Sequence, residues 1–174
     1  MLNFARNTHG GQVGVVNYTR NENEGVPVGV VNLAQNSDAD WVTFGSNLAL
    51  LSTGVRTTIR RFYSVLAAGI YDIQDDRSDT WFLSWNYGYR LQDHDKWNLD
   101  ADAGFVHIHP QQDDDPTTND EPHFAIQVRL LVEFDVSRKV SIYGGGGFSS
   151  IFAEYSSDAD IANEPLFVGG ISLY

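Results

Sequence analysis

From Thr80 to Leu91 the chain reads TWFLSWNYGYRL, and its alternate positions suit two different solvents. Trp81, Leu83, Trp85, Tyr87, Tyr89 and Leu91 share one parity, while Thr80, Ser84, Asn86, Gly88 and Arg90 share the other, with Phe82 out of place. Successive side chains of a strand point to opposite faces, so this is a strand with one oily and one wet face. Strands of soluble sandwiches also alternate, but they run about 5–6 residues and rarely concentrate Trp and Tyr on one face. A strand that crosses a membrane in a barrel needs about 9–11 residues and ends in aromatic girdles. The pattern predicts lipid outside the wall and a polar lumen inside.

Later segments repeat the sorting. At 97–108, Trp97, Leu99, Ala101, Ala103 and Phe105 are expected outward, with Asn98, Asp100, Asp102 and Gly104 inward. At 124–135, Phe124, Ile126, Val128, Leu130, Val132 and Phe134 take the outward parity, leaving Gln127, Arg129, Glu133 and Asp135 inward. Such a run on one parity invites aggregation in water, whereas lipid requires it. Eight strands are expected, at roughly 41–47, 53–60, 62–73, 79–92, 96–108, 123–135, 139–152 and 165–174, separated mostly by Asp, Asn, Gly and Pro clusters. Working back from the C-terminus, the connections alternate between long (153–164, 109–122), medium (74–78) and short (136–138, 93–95, Arg60-Arg61). Bacterial barrels have short periplasmic turns and longer outer loops, so both barrel ends are expected in the periplasm and the acidic loops outside. The apolar stretch Leu48–Ser52 is anomalous for an outer loop, and the final parity Leu166, Val168, Gly170, Ser172, Tyr174 ends in an aromatic like an outer-membrane targeting signal.

Composition narrows the alternatives. A chain of 174 residues without Cys can bury a core without disulfides, and has neither thiolate chemistry nor a Cys-based zinc site. Its net charge of -12 disfavours nucleic acid as a partner. The mean hydropathy of -0.27 and the absence of a long apolar run exclude a transmembrane helix but not a membrane barrel, whose hydropathy signal is weak. MLNFARNTHGG has no apolar core of a signal peptide, so the sequence is expected to be a C-terminal piece of a longer chain or one with a misplaced start.

The first residues carry a repeat. VGVVN occurs at Val13–Asn17 and again at Val28–Asn32, and Leu2-Asn3-Phe4-Ala5 aligns with Val16-Asn17-Tyr18-Thr19. Recurrence at this spacing indicates stacked copies of one small unit. Parallel stacking would allow Asn3, Asn17 and Asn32 to form a ladder of amides; an antiparallel meander, with each Asn a turn residue, remains the alternative. The units GGQVGVVNYTRNENEG and VPVGVVNLAQ resemble the G-[LV]-Q-[LV]-G-[LV]-V-N-[VY]-A repeat of a bacterial surface-repeat family, as does the continuation into an aromatic strand and a segment like FYSVLAAGI at Phe62–Ile70. That resemblance implies an envelope location and a barrel-like C-terminal region, and brings no catalytic residues.

The fold class expected is therefore all-β: an antiparallel membrane-type barrel of about eight strands, ten if the repeats join the wall, preceded by short β repeats. Residues 1–38 are assigned to the repeat segment and 39–174 to the barrel. An eight-stranded barrel has an interior just wide enough for side chains to fill. Asp100 and Asp102 should thus face Arg129 and Glu133, with Arg56, Arg60 and Arg90 completing a lumen charge network, because buried charges must be paired. A narrow pore or proton path is the alternative. Trp81, Trp85, Tyr87, Tyr89, Trp97, Phe105, Phe124 and Phe134 form the aromatic lipid-facing set.

Other candidates carry less chemistry. His107, His109 and His123 flank the acidic run QQDDDPTTNDEP, but the spacing matches no known metal motif, and His107 shares the lipid parity, so interfacial anchoring is its expected role. His94 is expected in a solvated turn. Gly144–Gly147 lacks the Lys and helix of a phosphate loop and belongs to a strand, leaving room for a bulky residue opposite. No catalytic residue, metal or cofactor is expected. The leading function is a non-enzymatic bacterial outer-membrane barrel with a structural, surface-interaction or small-solute role, contacting outer-membrane lipid, with peptidoglycan or another envelope protein as candidate partners of the repeats. Two alternatives stand beside it: an outer-membrane lipid-modifying enzyme, and a soluble lipocalin-like ligand-binding barrel whose oily parity would face inward.

Overall fold

A computed structural model describes residues 1–21, 24–71, 80–109, 123–153 and 162–174. The acidic stretch 110–122 and the connections at 72–79 and 154–161 lie outside the described residues, so the expectations placed on them are not addressed below. Five short strands come first: β1 (Leu2–Ala5), β2 (Gly11–Val13), β3 (Val16–Thr19), β4 (Val26–Val28) and β5 (Val31–Leu33). Eight long ones follow: β6 (Ser37–Ser46), β7 (Ala49–Ile59), β8 (Phe62–Tyr71), β9 (Trp81–Asp93), β10 (Trp97–His109), β11 (His123–Ser137), β12 (Val140–Ala153) and β13 (Ala162–Leu173). The long strands close into an antiparallel barrel in which β13 pairs with β6, so no edge is left open.

The repeats do not join this wall. They pair in parallel, β1 with β3 with β5 and β2 with β4, as a small two-faced solenoid. Within it Asn3 Nδ2 donates to Asn17 Oδ1 at 2.8 Å, and Asn17 Nδ2 donates to Asn32 Oδ1 at 2.8 Å. The glycine of each VGVVN unit has a steric reason: a Cβ on Gly14 or Gly29 would press into these amides. Asn17 Nδ2 also donates to Val28 O at 3.0 Å, so the ladder satisfies the backbone of the turn beside it.

Face assignment in the barrel follows the sequence parity. Trp81, Leu83, Tyr89, Leu91, Phe105, Ile126, Val128, Leu130 and Phe134 project outward and exposed, and Trp85, Tyr87, Trp97 and Phe124 lie on the same face, half-buried against neighbours. Because the oily parity faces out, the lipocalin-like alternative is overturned. The inner face is less polar than expected, however. Val42, Phe44, Val65, Ala67, Leu131, Leu166 and Val168 form one buried apolar cluster around Tyr63, and Ala49, Phe82, Val106, Ile108 and Ala125 form a second. Phe82, the misfit of its strand, is thus a lumen residue packed in the second apolar cluster.

One further expectation is corrected. The stretch 48–52 is no outer loop: Asn47 and Leu48 make a tight turn in which Ser46 Oγ accepts from Leu48 N and Ala49 N, and strand β7 begins at Ala49. Leu48 tucks into both apolar clusters, while an irregularity in register between Ala49 and Leu51 leaves Leu50 and Leu51 exposed on the outer surface. In β13 the parity of Leu166, Val168 and Ser172 faces the lumen, and Phe167, Ile171 and Leu173 take the outer face. Tyr174 follows the inner parity, its hydroxyl donating to Glu133 Oε1 at 3.2 Å.

Candidate functional site

The short turns at 60–61, 94–96 and 138–139 lie at one end of the barrel, together with the start of β6 and the end of β13. Just inside this end, two linked charge clusters cross the lumen. Arg56, from β7, donates from Nε to Asp40 Oδ2 at 2.9 Å, from Nη1 to Glu133 Oε2 at 3.0 Å and from Nη2 to Glu133 Oε1 at 2.8 Å. Arg90 bridges onward, to Asp100 Oδ1 at 3.1 Å and to Glu133 Oε2 at 3.2 Å. Ser172 accepts from Arg56 as well.

Arg129 and Asp102 form the second cluster, and they are direct partners in the β10–β11 register. Arg129 Nε donates to Asp102 Oδ1 at 2.8 Å and Nη2 to Oδ2 at 2.9 Å, a two-pronged contact that suits guanidinium to carboxylate. Tyr63 donates its hydroxyl to Asp102 Oδ2 at 3.0 Å, and the Arg129 guanidinium lies 5.8 Å from the Phe44 ring centroid. Room for Tyr63 comes from its register partner Gly88, where a Cβ would overlap the phenol ring. Gly170 stands in the same relation to Tyr143.

Six of the seven charges named from sequence therefore come together: Arg56, Arg90, Asp100, Asp102, Arg129 and Glu133. Arg60 does not. It sits in the turn after β7 with φ of 59°, exposed, and donates from Nη1 to Glu24 O of the solenoid at 3.0 Å. The sequence places it in the lumen charge network, but the left-handed turn conformation carries the side chain out of the strand's alternation. Asp40, Tyr63, Tyr143, Ser172 and Tyr174 belong to the site and were missed. Asp40 was lost because β6 begins earlier than its hydrophobic run, and the tyrosines because an aromatic in a strand reads as lipid-facing; the glycine opposite Tyr63 and Tyr143 is the signal that could have separated those two.

The last solenoid rung packs on the outside of the wall, because Thr57 and Ser64 share the parity of Val55 and Tyr87 and not that of lumen-facing Arg56 and Tyr63. Asn32 N donates to Thr57 Oγ1 at 3.5 Å, Asn32 Nδ2 to Ser64 Oγ at 3.3 Å, and Ser64 Oγ to Val30 O at 3.0 Å. Deep in the lumen lie two cavities of about 20 Å³ each, one beside Arg129 and Tyr143, the other beside Phe82 and Val106, while an open pocket of about 210 Å³ at the mouth is lined by Asp38, Asp40, Arg56, Arg90 and Tyr174. Each of the two deep cavities has room for about one water.

At the opposite end the histidines lie on the outer surface of β10. His109 stacks on Trp81 at 4.1 Å, His107 meets His109 at 4.0 Å and stacks on Phe124 at 4.6 Å. Phe124 in turn meets Phe105 at 5.2 Å. His94 lies between β9 and β10, its ring 4.4 Å from Trp97. Among the described residues no group of three or more His, Asp or Glu is placed to hold a metal ion.

Comparison with known proteins agrees with this geometry. Residues 48–167 match the model of a family described as outer membrane protein beta-barrel domain. Among solved structures the chain is similar to the N-terminal β-barrel domain of OprF from Pseudomonas aeruginosa, with TM-score 0.57 at 11% identity over 80% of this chain and 97% of that one. It is also similar to outer membrane protein H (OprH) of P. aeruginosa in micelles, with TM-score 0.57 at 13% identity over 79% and 98% of the two chains. No curated protein matches the sequence.

Proposed function

The chain belongs to the family of outer membrane protein beta-barrel domains and resides in the bacterial outer membrane; from that premise we propose that it is a plugged, non-enzymatic anchor. It fixes a stack of surface-type repeats, residues 1–38, to the outside of the wall at the periplasmic end of a barrel formed by residues 39–174. The observation that carries this reading is the filled lumen. Below an open mouth pocket of about 210 Å³, a charged layer and two apolar clusters follow one another along the barrel axis, with interior cavities of about 20 Å³ each. Solutes larger than water have no continuous path through such an interior, which argues against the small-solute role.

Further support comes from how the candidate catalytic groups are used. The rings of His107 and His109 are spent on stacking with Trp81 and Phe124, as interfacial anchors are. The repeats present Phe4, Tyr18 and Leu33 as an aligned outward row, with Phe4 and Tyr18 6.1 Å apart. That row is the surface peptidoglycan or another envelope protein would meet. Two measurements on the purified protein test the reading. Unheated samples should migrate differently from boiled ones on a detergent gel, as closed barrels do, and planar bilayers should record no steady ion conductance. Stable conductance steps from the wild-type protein would refute the plug and favour a pore.

A further inference from the structure

Where the solenoid flank meets the outer rim of the barrel, an open groove of about 490 Å³ is lined by Glu24, Val26, Arg60, Arg61, Phe62, Tyr89 and Asp93. We propose that this groove holds the headgroup of one aminophospholipid of the periplasmic leaflet, its phosphate on Arg61 and Arg60 and its ammonium at Asp93. The inference rests on the membrane reading above, since it requires this rim to lie at the lipid headgroups.

Three observations point to a zwitterionic lipid. First, the guanidinium of Arg61 is exposed and has no hydrogen-bond or ion-pair partner among the described residues, although its backbone is fixed by Arg90 N donating to Arg61 O at 2.7 Å. Arg60 spends Nη1 on Glu24 O, which holds the side chain over the groove with its other donors uncommitted. A guanidinium presents several donors to phosphate oxygens in a fixed plane, so two side by side favour a phosphate over a carboxylate.

Second, the groove is not uniformly basic. The Glu24 carboxylate is taken by His9 Nδ1 at 2.9 Å, whereas Asp93 lines the groove from the end of β9. A headgroup with a phosphate alone would leave that carboxylate opposed to it. One that also carries an ammonium pairs with both signs. Third, the groove's apolar wall is continuous with the lipid-facing surface: Phe62 packs on Tyr89 at 5.0 Å and on Tyr87 at 6.2 Å, which gives an acyl chain a track leading away from the arginines. A soluble phosphate ester would gain nothing from that wall.

Native mass spectrometry of the detergent-folded full chain, titrated with phosphatidylethanolamine, phosphatidylcholine and phosphatidylglycerol, tests the assignment. One phosphatidylethanolamine should be retained in preference to the other two. Arg61→Ala should weaken its binding about tenfold, the scale of a lost charge-assisted hydrogen bond, and Asp93→Asn should abolish the preference over phosphatidylglycerol. Arg138→Ala, in the exposed turn before β12, should change nothing. Equal retention by wild type and Arg61→Ala would overturn the proposal, as would binding of chain-free glycerophosphoethanolamine as tightly as the lipid. Heat-modifiable migration of the same samples separates the two failures: a folded barrel that holds no lipid sinks only this inference, whereas a chain that never forms the barrel sinks the anchor reading with it.

Discussion

Replacing Arg129 by Met removes a buried cation and keeps much of its volume. Asp102 would lose two charge-assisted hydrogen bonds, at 2.8 and 2.9 Å, and retain Tyr63 at 3.0 Å and Asn86 Nδ2 at 3.4 Å. At about 1.5–3 kcal/mol for each lost bond the two together give about 3–6 kcal/mol, which overlaps the roughly 3–5 kcal/mol seen when one partner of a buried pair is removed. With a urea slope of about 2 kcal/mol per molar, a loss near 4 kcal/mol lowers the unfolding midpoint by about 2 M. Removing both charges, as Arg129→Met with Asp102→Leu, leaves no orphaned carboxylate and should recover most of the loss. Urea titrations in detergent of the wild type, Arg129→Met, Asp102→Leu and the double variant, followed by Trp fluorescence, provide the four midpoints of this cycle. Water reaching Asp102 would solvate it in the single variant, so an unchanged midpoint for Arg129→Met would refute the dry, plugged lumen.

Leu130 and Leu131 test the two faces of β11. Leu130→Arg puts a charge against lipid at a cost of about 2–4 kcal/mol and should block assembly into vesicles, whereas Leu131→Gln, inside the apolar cluster, should assemble but unfold at lower urea by about 1–3 kcal/mol of buried amide. In the solenoid, Asn17→Leu cuts the ladder between its neighbours and should speed proteolysis and hydrogen exchange within residues 1–33 without altering heat-modifiable migration. An epitope inserted within 113–118, between β10 and β11 at the end away from the short turns, should be detected by antibody on intact cells; detection only after the outer membrane is opened would invert the topology.

What the chain determined by itself is the wall. Solvent on the two faces of a membrane strand differs so sharply that alternation alone separates Trp81, Phe105, Leu130 and Phe134 from Asp100, Asp102, Arg129 and Glu133. Closure into eight strands then follows from the spacing of turn residues, and the repeat spacing with its Asn and Gly determines that copies can stack. Pairing inside the lumen was another matter. Which carboxylate meets which guanidinium depends on the stagger between strands, so Arg129 selects Asp102 while Arg56 reaches across from β7 to Glu133 on β11, 77 positions away. The apolar plug around Phe82 and the inward turn of Tyr63 and Tyr143 also needed tertiary structure, because a narrow dry lumen accepts the same residues that lipid does. A parity argument distinguishes water from oil; it cannot distinguish oil outside from a packed interior. Arg60 makes the same point at the rim, where one residue with positive φ leaves the alternation and joins the solenoid to the barrel.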